Sequence, residues 1–254
     1  MSPSPDALSW ENNRLIFPGI SSPPLIHGIF TRWGGVSPAP YDSLNVAYDL
    51  DDDENNVRKN RDRIKACLDI RMLVSCRQVH GDRIAVIEEK PATDLFVDGH
   101  DALITDRAGI GLMIQHADCQ AILLHEPVKR VVGIIHAGWR GSVANIARKT
   151  VQAMHRSYGC DPVNMRAAIS PSLGPCCAEF RNYQRELPAE FHKYQVRPQY
   201  FDFWAISRDQ LHQAGIRARN IAVANQCTVC NPDYFSFRRD RITGRCASVI
   251  GIRG

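Results

Sequence analysis

Four short apolar runs follow one another in the middle of this chain, and turn-forming residues separate each run from the next. They span residues 102–105, 111–115, 121–124 and 131–135. Apolar segments of this length are typical of strands in a sheet that is covered on both faces. We therefore expect a layered, mixed α/β domain in which the ends of neighbouring strands meet.

Residues with metal-binding side chains stand where these runs end. Cys119 lies between the second and third runs, and His136 directly follows the fourth. His80 also follows an apolar run and precedes a glycine. A cysteine and two histidines form a recognised ligand set for catalytic zinc, which leaves one coordination position open. Each of these residues alone is more often structural, but the three together predict a metal centre.

The segment His136-Ala137-Gly138-Trp139-Arg140-Gly141 joins a predicted strand to a helix. Glycines at such a junction let backbone N–H groups point into one concavity at the positive end of the helix. An anion bound there would lie beside anything bound to His136, and Arg140 could add a charged fork. The alternative is a tight turn with a buried tryptophan and a hydrogen-bonded histidine.

Two polar residues flank the predicted cysteine ligand. Asp118 is a poor core residue, and we expect it to orient a ligand or relay a proton. His116 stands three residues before Cys119. An odd offset on an extended strand places two side chains on opposite faces, so we expect His116 not to be a ligand.

The remaining cysteines include two close pairs. Cys227 and Cys230 form a lone C-x-x-C pair, and a structural zinc normally needs four ligands. Because no second C-x-x-C is present, the spacing favours no metal at this pair. Cys176 and Cys177 stand at a predicted helix start, where a thiol becomes more reactive, so a reactive role is a secondary possibility.

Segments with helical periodicity alternate with the strands. Helices are predicted at residues 53–68, 142–155 and 206–214, and a mixed helical stretch at 177–191 is broken near Pro188. Further strands are predicted at residues 26–33, 73–79, 83–87, 166–169, 221–224 and 247–252.

Composition limits the classes of function. The net charge of +4, with scattered basic residues, is too small to indicate nucleic-acid binding. No apolar run approaches the roughly 20 residues of a membrane span, and the N-terminus does not resemble a signal peptide. Nine cysteines without a regular framework predict free thiols and a cytoplasmic location. No obligate protein partner is indicated.

Nine short motifs stand in an order that resembles one known family. They are Phe30-Thr31-Arg32-Trp33-Gly34-Gly35-Val36-Ser37, Ser43-Leu44-Asn45, Asn60-Arg61, Gln78-Val79-His80-Gly81, Asp101-Ala102-Leu103-Ile104-Thr105, Ala117-Asp118-Cys119, His136-Ala137-Gly138-Trp139-Arg140-Gly141, Gly174-Pro175-Cys176-Cys177 and Phe235-Ser236-Phe237-Arg238-Arg239-Asp240. From about residue 28 to residue 252, the chain resembles the YfiH or laccase-domain family of purine nucleoside phosphorylases, once called multicopper polyphenol oxidoreductases.

The resemblance implies a fold and a metal. The implied fold is a single-domain, four-layer α-β-β-α sandwich over residues 1–254, in which residues 1–24 are an N-terminal extension without a separate fold. The implied cofactor is one zinc ion held by His80, Cys119 and His136. An open position on such a zinc could bind a substrate oxygen, or lower the pKa of a bound water towards about 7.

The resemblance also implies two reactions. One is phosphorolysis of adenosine, inosine, guanosine and 5′-methylthioadenosine to the free base and ribose 1-phosphate, and the other is hydrolytic deamination of adenosine. The expected catalytic residues are His80, Cys119, His136 and Asp118. The candidates for binding substrate or phosphate are Arg32, Asn45, Arg61, Gly138, Arg140 and Cys176.

The chain departs from the family pattern at residues that flank the ligands. His116 stands where threonine is frequent, Gln120-Ala121 where a proline often follows the cysteine, and Ser170-Pro171-Ser172-Leu173 where a Gly-Pro stretch is more usual. These departures affect the expected substrate preference and leave the expected ligand set intact.

Three alternatives stay open. A multicopper oxidase needs clustered His-x-His pairs, and this chain has nine histidines without one such pair, although copper could occupy a Cys-His-His site adventitiously. A cysteine hydrolase would use Cys119 as nucleophile and His136 or His80 as base. A non-catalytic metal-binding or partner-docking module would require a closed four-ligand site.

Overall fold

The structure is a computed structural model that describes residues 9–11 and 14–254. The strands, in chain order, are β1 (Ser9–Glu11), β2 (Arg14–Ile16), β3 (Leu25–Phe30), β4 (Met72–Arg77), β5 (Ile84–Val86), β6 (Leu95–Asp98), β7 (Ala102–Thr105), β8 (Ile110–His116), β9 (Gln120–Glu126), β10 (Val131–Ala137), β11 (Arg166–Ile169), β12 (Gln195–Arg197), β13 (Tyr200–Phe201), β14 (Ile221–Val223) and β15 (Cys246–Ile252). The helices are α1 (Glu54–Leu68), α2 (Trp139–Val143), α3 (Ile146–Tyr158), α4 (Tyr183–Glu186), α5 (Phe203–Gln213) and α6 (Phe237–Asp240), with 3₁₀ helices at Ala189–Tyr194 and Ala218–Asn220.

Two mixed sheets form the centre of the molecule. The first has the strand order β1-β2-β3-β15-β8-β4-β6, and the second has the order β14-β11-β9-β10-β7-β5. Most neighbours are antiparallel, but β4 runs parallel to both β8 and β6, β5 runs parallel to β7, and β11 runs parallel to β14. Parallel strands require long connections. The connection from β4 to β6 contains His80, the first predicted ligand.

Three apolar clusters show that the layers are stacked in the order helix, sheet, sheet, helix. One cluster lies between the sheets and joins Leu112 and Ile114 of β8 to Leu123 of β9. A second packs the outer face of the β9 sheet against α3 and α5, and a third packs the outer face of the β8 sheet against α1. The predicted four-layer α-β-β-α sandwich is therefore confirmed.

Helix α1 begins and ends as its sequence predicts. Asp53 caps its N-terminus by accepting a hydrogen bond from the backbone N–H of Asn55 at 2.7 Å. Asp69 ends it in the left-handed region, with φ +54°. Ile64 and Leu68 face inward because they are spaced by one helical turn, and they join the apolar cluster of the first sheet.

The helix predicted at residues 142–155 is two helices. Asn145 has φ +56°, which interrupts the helical path after α2, and its side chain accepts a hydrogen bond from the backbone N–H of Arg148. Asparagine tolerates this backbone region and is a favourable N-cap. The first of the two helices begins at Trp139, so Gly138 rather than Ser142 marks the end of the strand-to-helix junction.

Several strands differ from their predicted bounds or were not predicted. The strand predicted at 73–79 ends at Arg77, which leaves His80 in a loop. Strand β6 was missed because it is largely exposed and carries no apolar alternation. At the N-terminus, β2 pairs with β3, and Leu15 and Phe17 join the core between the sheets. Residues 1–8 and 12–13 of the predicted extension lie outside the described residues.

Helices that could cross a bilayer, being both long and apolar, are not found in the part of the chain that the structure describes.

Candidate metal centre

The three predicted ligands meet where the chain passes from one sheet to the other. Residues 117–119 connect β8 of the first sheet to β9 of the second, and Cys119 lies at the end of this crossing. His80 lies in the loop that leads from β4 to β5, which also crosses between the sheets. His136 is the penultimate residue of β10, and its Cα pairs with that of Ala121 in β9. The fold thus brings together side chains from three separate segments.

The distances between the three side chains fit a single metal ion. The Sγ atom of Cys119 lies 3.9 Å from the Nε2 atom of His80, and one ligand atom from each of His80, Cys119 and His136 lies within 4.8 Å of the others. Zn–S bonds of about 2.3 Å and Zn–N bonds of about 2.0–2.1 Å at a tetrahedral angle separate the two ligand atoms by about 3.6 Å. The donor set and its spacing therefore suit a tetrahedral ion with three protein ligands.

The backbone at the centre is held in unusual conformations. His80 has φ +58° and Asp118 has φ +84°, so one candidate ligand and the residue that precedes another lie in the left-handed region. Non-glycine residues in this region are uncommon and cluster at functional sites. Gly138 packs directly against two ligands, because a Cβ atom on it would lie 2.9 Å from Cδ2 of His80 and 3.3 Å from Sγ of Cys119.

Asp101 holds two of the ligands in place. Its buried carboxylate accepts a hydrogen bond from Nδ1–H of His136 at 2.8 Å, which leaves Nε2 of that ring as the free donor atom. It also accepts backbone N–H bonds from Val79, His80 and Gly81 at 3.3, 3.0 and 2.7 Å, which fixes the His80 loop. Burial raises the pKa of Asp101, but the bonds from His136 and Gly81 outweigh it and keep that pKa below its usual value.

Asp101 belongs to a family motif, but its sequence context predicts no role for it. A single aspartate before an apolar strand carries no spacing signal. Its function follows from the three-dimensional position of β7 beside β10, whose residue His136 donates its backbone N–H to the Asp101 carbonyl oxygen at 2.7 Å.

Cys119 and His136 form a charged pair when no metal is bound. Burial raises the pKa of the Cys119 thiol, but the neighbouring His136 and His80 rings outweigh burial and lower it to about 6. Burial lowers the pKa of His136, but the Cys119 thiolate and the Asp101 carboxylate outweigh it and raise it to about 9. The metal-free centre is therefore a thiolate beside an imidazolium, and the thiolate is already in the form that binds a metal.

The carboxylate of Asp118 points to other loops. It accepts hydrogen bonds from Thr228 Oγ1 and from the backbone N–H of Arg238, both at 2.6 Å. Its backbone carbonyl accepts the N–H of Leu173 at 2.8 Å. Two roles were predicted for Asp118, orienting a ligand and relaying a proton. Because both of its carboxylate oxygens are engaged in this way, Asp118 fits the orienting role better.

His116 lies outside the ligand group, as its strand offset indicates. Its Nε2 atom is 2.8 Å from Oγ of Ser248, and the ring is buried. Burial, with a smaller contribution from the nearby His136 ring, lowers its pKa to about 3. A buried neutral imidazole bonded to a serine has a structural role.

Several candidates for binding substrate or phosphate lie away from the centre. Arg32 pairs with Asp42 at 3.1 Å and lies over the ring of Phe235. Arg61 is buried beneath Tyr48 and Phe96 and donates to the carbonyl of Val46. These side chains are engaged within the protein, and their positive charges stabilise packing rather than face the pocket.

The other candidates lie in the interior, at the pocket and on the surface. Asn45 is fully buried and bonds to Asp52, and Arg140 is exposed and lies over Trp139. Gly138 lines the pocket next to the ligands. Cys176 is exposed and belongs to a separate group of cysteines.

A pocket of about 620 Å³ opens over the three ligands. This volume lies within the usual range for small-molecule sites, about 300–1,000 Å³. Its walls include the aromatic rings of Phe180, Phe203 and Phe237, the amides of Gln78 and Gln115, and the cations Arg181, Arg238 and Arg245. These residues were not singled out from the sequence as site residues, because they come from loops far apart in the chain.

The structure removes the reason for expecting no metal at Cys227 and Cys230, because it supplies two further cysteines next to them. Cys176, Cys177, Cys227 and Cys230 bring one sulfur each within 4.8 Å of the others, and they form a second group that could hold a metal ion. The cysteine spacing does not indicate this group, because the second pair is two adjacent cysteines rather than another C-x-x-C. The two pairs meet through the bridge between Ser172 and Cys227.

Comparisons with known proteins agree with this fold. The family described as "Multi-copper polyphenol oxidoreductase laccase" matches residues 26–253. "Purine nucleoside phosphorylase ORF3" of Streptomyces griseus is 35% identical over 232 residues, which cover 88% of this chain and 93% of that protein. "Purine nucleoside phosphorylase YlmD" of Geobacillus stearothermophilus is 34% identical over 247 residues and covers 90% of each chain.

Solved structures extend the comparison to three dimensions. The crystal structure of YfiH from Bacillus licheniformis superposes with a TM-score of 0.86 at 31% identity, covering 96% of this chain and 97% of that one. The structure of YlmD from Geobacillus stearothermophilus gives a TM-score of 0.85 at 32% identity, covering 99% and 100%. The chain therefore belongs to the multi-copper polyphenol oxidoreductase laccase family, together with these YfiH and YlmD proteins.

Proposed function

We propose that this protein is a zinc-dependent purine nucleoside phosphorylase that also deaminates adenosine. Its substrates would be adenosine, inosine, guanosine or 5′-methylthioadenosine together with inorganic phosphate. The observation that carries the proposal is the convergence of His80, Cys119 and His136 at the base of an open pocket, in a chain whose relatives are named purine nucleoside phosphorylases.

The ligand set supports zinc as the ion. One thiolate and two imidazoles with a fourth side open to the pocket are typical of catalytic zinc. Bound there, zinc would supply Lewis-acid chemistry at its open position. Asp101 would keep His136 in the tautomer that binds through Nε2, and Gly138 would leave room for all three ligands.

Phosphorolysis needs a site for an anion and a site for a purine. The bond between C1′ and the purine nitrogen breaks, its electron pair goes to the base, which takes up a proton, and a phosphate oxygen forms the new bond to C1′. Arg238 and Arg245 line the pocket and would orient the phosphate. The rings of Phe180 and Phe237 would contact the flat purine.

Deamination uses the same pocket in this proposal. Water replaces the amino group at the purine ring, and ammonia leaves. The amides of Gln78 and Gln115 line the pocket and would hydrogen-bond the polar edge of the base. The Gln78 amide also bonds to the backbone N–H and carbonyl of Gln115, and the Gln115 amide donates to Asp49. The free thiols that the site requires favour the reducing cytoplasm as the place where it works.

Replacing single ligands tests the proposed function. Cys119→Ala and His80→Ala should each abolish release of adenine from adenosine plus phosphate, with the circular dichroism spectrum unchanged. Cys67→Ser is the matched control, because Cys67 lies on α1 outside both groups of potential ligands. Full activity in either ligand variant would refute a mechanism centred on this metal.

A second pair of variants tests the phosphate site. Arg245→Ala should raise the KM for phosphate by at least about tenfold, since it removes a charge-assisted contact worth roughly 1.5–3 kcal/mol. Arg148→Ala removes an exposed arginine from α3, outside the pocket, and should leave that KM unchanged. Equal KM values for both variants would place the phosphate elsewhere.

The thiolate of Cys119 also supports a second candidate, a cysteine hydrolase. Its pKa of about 6 and its contact with His136 are typical of an activated nucleophile. Chelation separates the two candidates. A phosphorylase that depends on zinc loses activity with the metal and regains it when zinc is added, whereas a thiol nucleophile keeps its activity without metal and loses it on alkylation.

Polyphenol oxidation has less support from the geometry. Within residues 9–11 and 14–254, the potential metal-ligand groups are the three-residue centre and the four-cysteine group. Neither contains the His-x-His pairs of a multicopper site. Copper could still replace zinc at the centre, because its raw affinity for such ligands is higher.

A further inference from the structure

Four cysteines form a compact group outside the pocket, which we call the tetracysteine cluster: Cys176, Cys177, Cys227 and Cys230. The Sγ atom of Cys230 lies 3.7 Å from that of Cys176 and 3.6 Å from that of Cys177. The four sulfurs lie within 4.8 Å of one another, and all four thiols are free. None of these residues lines the pocket over the metal centre.

These separations match the edge of a metal tetrathiolate. With Zn–S bonds of about 2.3 Å, the sulfurs of a regular tetrahedron are about 3.8 Å apart. A disulfide would instead bring two sulfurs to about 2.05 Å. The cluster is therefore preshaped for an ion at its centre, and four sulfurs would leave that ion no open position.

Two short turns bring the cysteines together. In the first, Cys177 donates its backbone N–H to the carbonyl of Gly174 at 2.9 Å, and in the second, Asn231 donates to the carbonyl of Cys227 at 2.9 Å. The turns touch at Gly174, where a Cβ atom would lie only 2.8 Å from Cβ of Cys227. The absence of a side chain at residue 174 lets the two turns approach.

Backbone groups already point at the sulfur of the buried member of the cluster. The N–H of Gly174 donates to Sγ of Cys227 at 3.3 Å. Such N–H···S bonds orient thiolate ligands and offset their charge. The bond therefore fixes the orientation of the Cys227 sulfur towards the other three thiols, as a ligand position requires.

Two arginines supply positive charge next to the cluster. Arg197 donates to the carbonyl of Cys176 at 2.9 Å. Arg239 donates to the carbonyls of Thr228 and Val229, the two residues inside the C-x-x-C turn, at 2.8 and 3.3 Å. Four thiolates around a divalent ion carry a net charge of −2. The two neighbouring arginines would lower the electrostatic free energy of this negative charge.

From this geometry we propose that the tetracysteine cluster is a second, structural zinc site, coordinated by all four thiolates and closed to substrate. It is distinct from the proposed catalytic centre, and its occupancy does not depend on what that centre does. Tetrahedral sites of four sulfurs belong to zinc or to iron, and a closed Cys₄ set is typical of structural zinc.

The second zinc would hold together the two turns whose residues hydrogen-bond to Asp118. Thr228, inside the C-x-x-C turn, donates its hydroxyl to the Asp118 carboxylate, and Leu173, just before the other turn, donates to the Asp118 carbonyl. Asp118 directly precedes Cys119, so the cluster is joined to the catalytic centre by two hydrogen bonds and one peptide bond. Zinc at the cluster would therefore hold that wall of the pocket in place.

Metal content of the purified full-length protein tests the proposal. We expect two zinc ions per chain in the wild type, one in Cys230→Ser and in Cys176→Ser, and one in Cys119→Ala. Cys230 and Cys176 are exposed, so their replacement should not disturb the core. Cys67→Ser is the matched control and should keep two. The loss of one zinc from wild type to Cys230→Ser is the decisive quantity, whatever the catalytic centre holds.

A spectroscopic measurement tests the site with all four cysteines intact, so it does not depend on the folding of Cys230→Ser or Cys176→Ser. Metal-free Cys119→Ala protein titrated with Co²⁺ should develop the intense thiolate-to-cobalt charge-transfer bands of a tetrahedral tetrathiolate, saturating at one ion per chain. Unchanged zinc content in Cys230→Ser, iron in place of zinc, or absence of those cobalt bands would overturn the proposal. A disulfide joining Cys230 to Cys176 or Cys177 in the freshly purified protein would likewise overturn it.

Discussion

Replacing Asp101 by asparagine should weaken metal binding at the three-ligand centre by about 10- to 100-fold, the usual effect of losing a partner that orients a metal ligand. The change is nearly isosteric, so it tests hydrogen bonding rather than packing. One carboxylate oxygen of Asp101 accepts from Nδ1 of His136 and from the N–H of His80, and the other accepts from the N–H groups of Val79 and Gly81.

The side-chain amide of Asp101→Asn has two possible orientations, and both are unfavourable. If its NH₂ group faces Val79 and Gly81, two partly buried donors lose their acceptor, at up to about 1–3 kcal/mol each. If it faces His136, only the N–H of His80 is left unpaired, because the imidazole can change tautomer and accept at Nδ1. The second orientation costs less stability and is therefore expected.

The expected orientation moves the imidazole proton to the metal-binding nitrogen. With Nδ1 of His136 accepting from the amide, Nε2 carries the hydrogen and offers no lone pair to a metal. The predicted loss of 10- to 100-fold corresponds to about 1.4–2.7 kcal/mol. The protein should remain folded, with a lower Tm, since one unpaired donor is a small fraction of the typical 5–15 kcal/mol of stability.

Competition with a calibrated chelator measures the zinc affinity of each variant. Asp98→Asn is the matched control, because Asp98 is exposed and its carboxylate pairs with exposed Arg77. Wild-type zinc affinity in folded Asp101→Asn protein would show that the hydrogen bond to His136 does not govern its role as a ligand.

Two further predictions concern the same centre. In metal-free protein, the rate of Cys119 alkylation, followed by peptide mapping, should be half-maximal near pH 6 and should fall at lower pH, because protonation removes the thiolate. His136→Ala should move this midpoint to higher pH. An unchanged midpoint would remove the basis for the thiolate–imidazolium pair. Gly138→Ala should lower zinc affinity and activity in a folded protein, because the new Cβ would lie 2.9 Å from the His80 ring; wild-type values for both would contradict the close packing.

The layers and the ligands could be predicted because each has a local signal. Helix α1 has its cap, its acidic start and its apolar spacing within sixteen residues, and the structure reproduces it. The strands around Cys119 and His136 are continuous apolar runs, and the structure places them in the middle of the sheets. The candidate ligands stand at the ends of these strands, which is a position that sequence can show.

The remaining parts of the site depend on contacts between distant segments. Asp101 becomes a positioning residue only because β7 lies beside β10 and the His80 loop folds back onto it. Arg61 belongs to a family motif, yet its side chain turns inward between Tyr48 and Phe96. A motif identifies which residues are shared with a family, but the direction of each side chain is set by packing.

The two groups of ligands are not independent in the fold. Asp118 occupies a left-handed backbone conformation directly before Cys119, and such a conformation persists only when its surroundings hold it. Those surroundings are Thr228, inside one turn of the tetracysteine cluster, Leu173, just before the other turn, and Arg238, which lines the pocket. Loosening the cluster should therefore act on the position of the Cys119 loop and on substrate affinity before it acts on the chemistry of the metal centre. That order of effects distinguishes a structural site from a second catalytic one, because a catalytic site would lower kcat first.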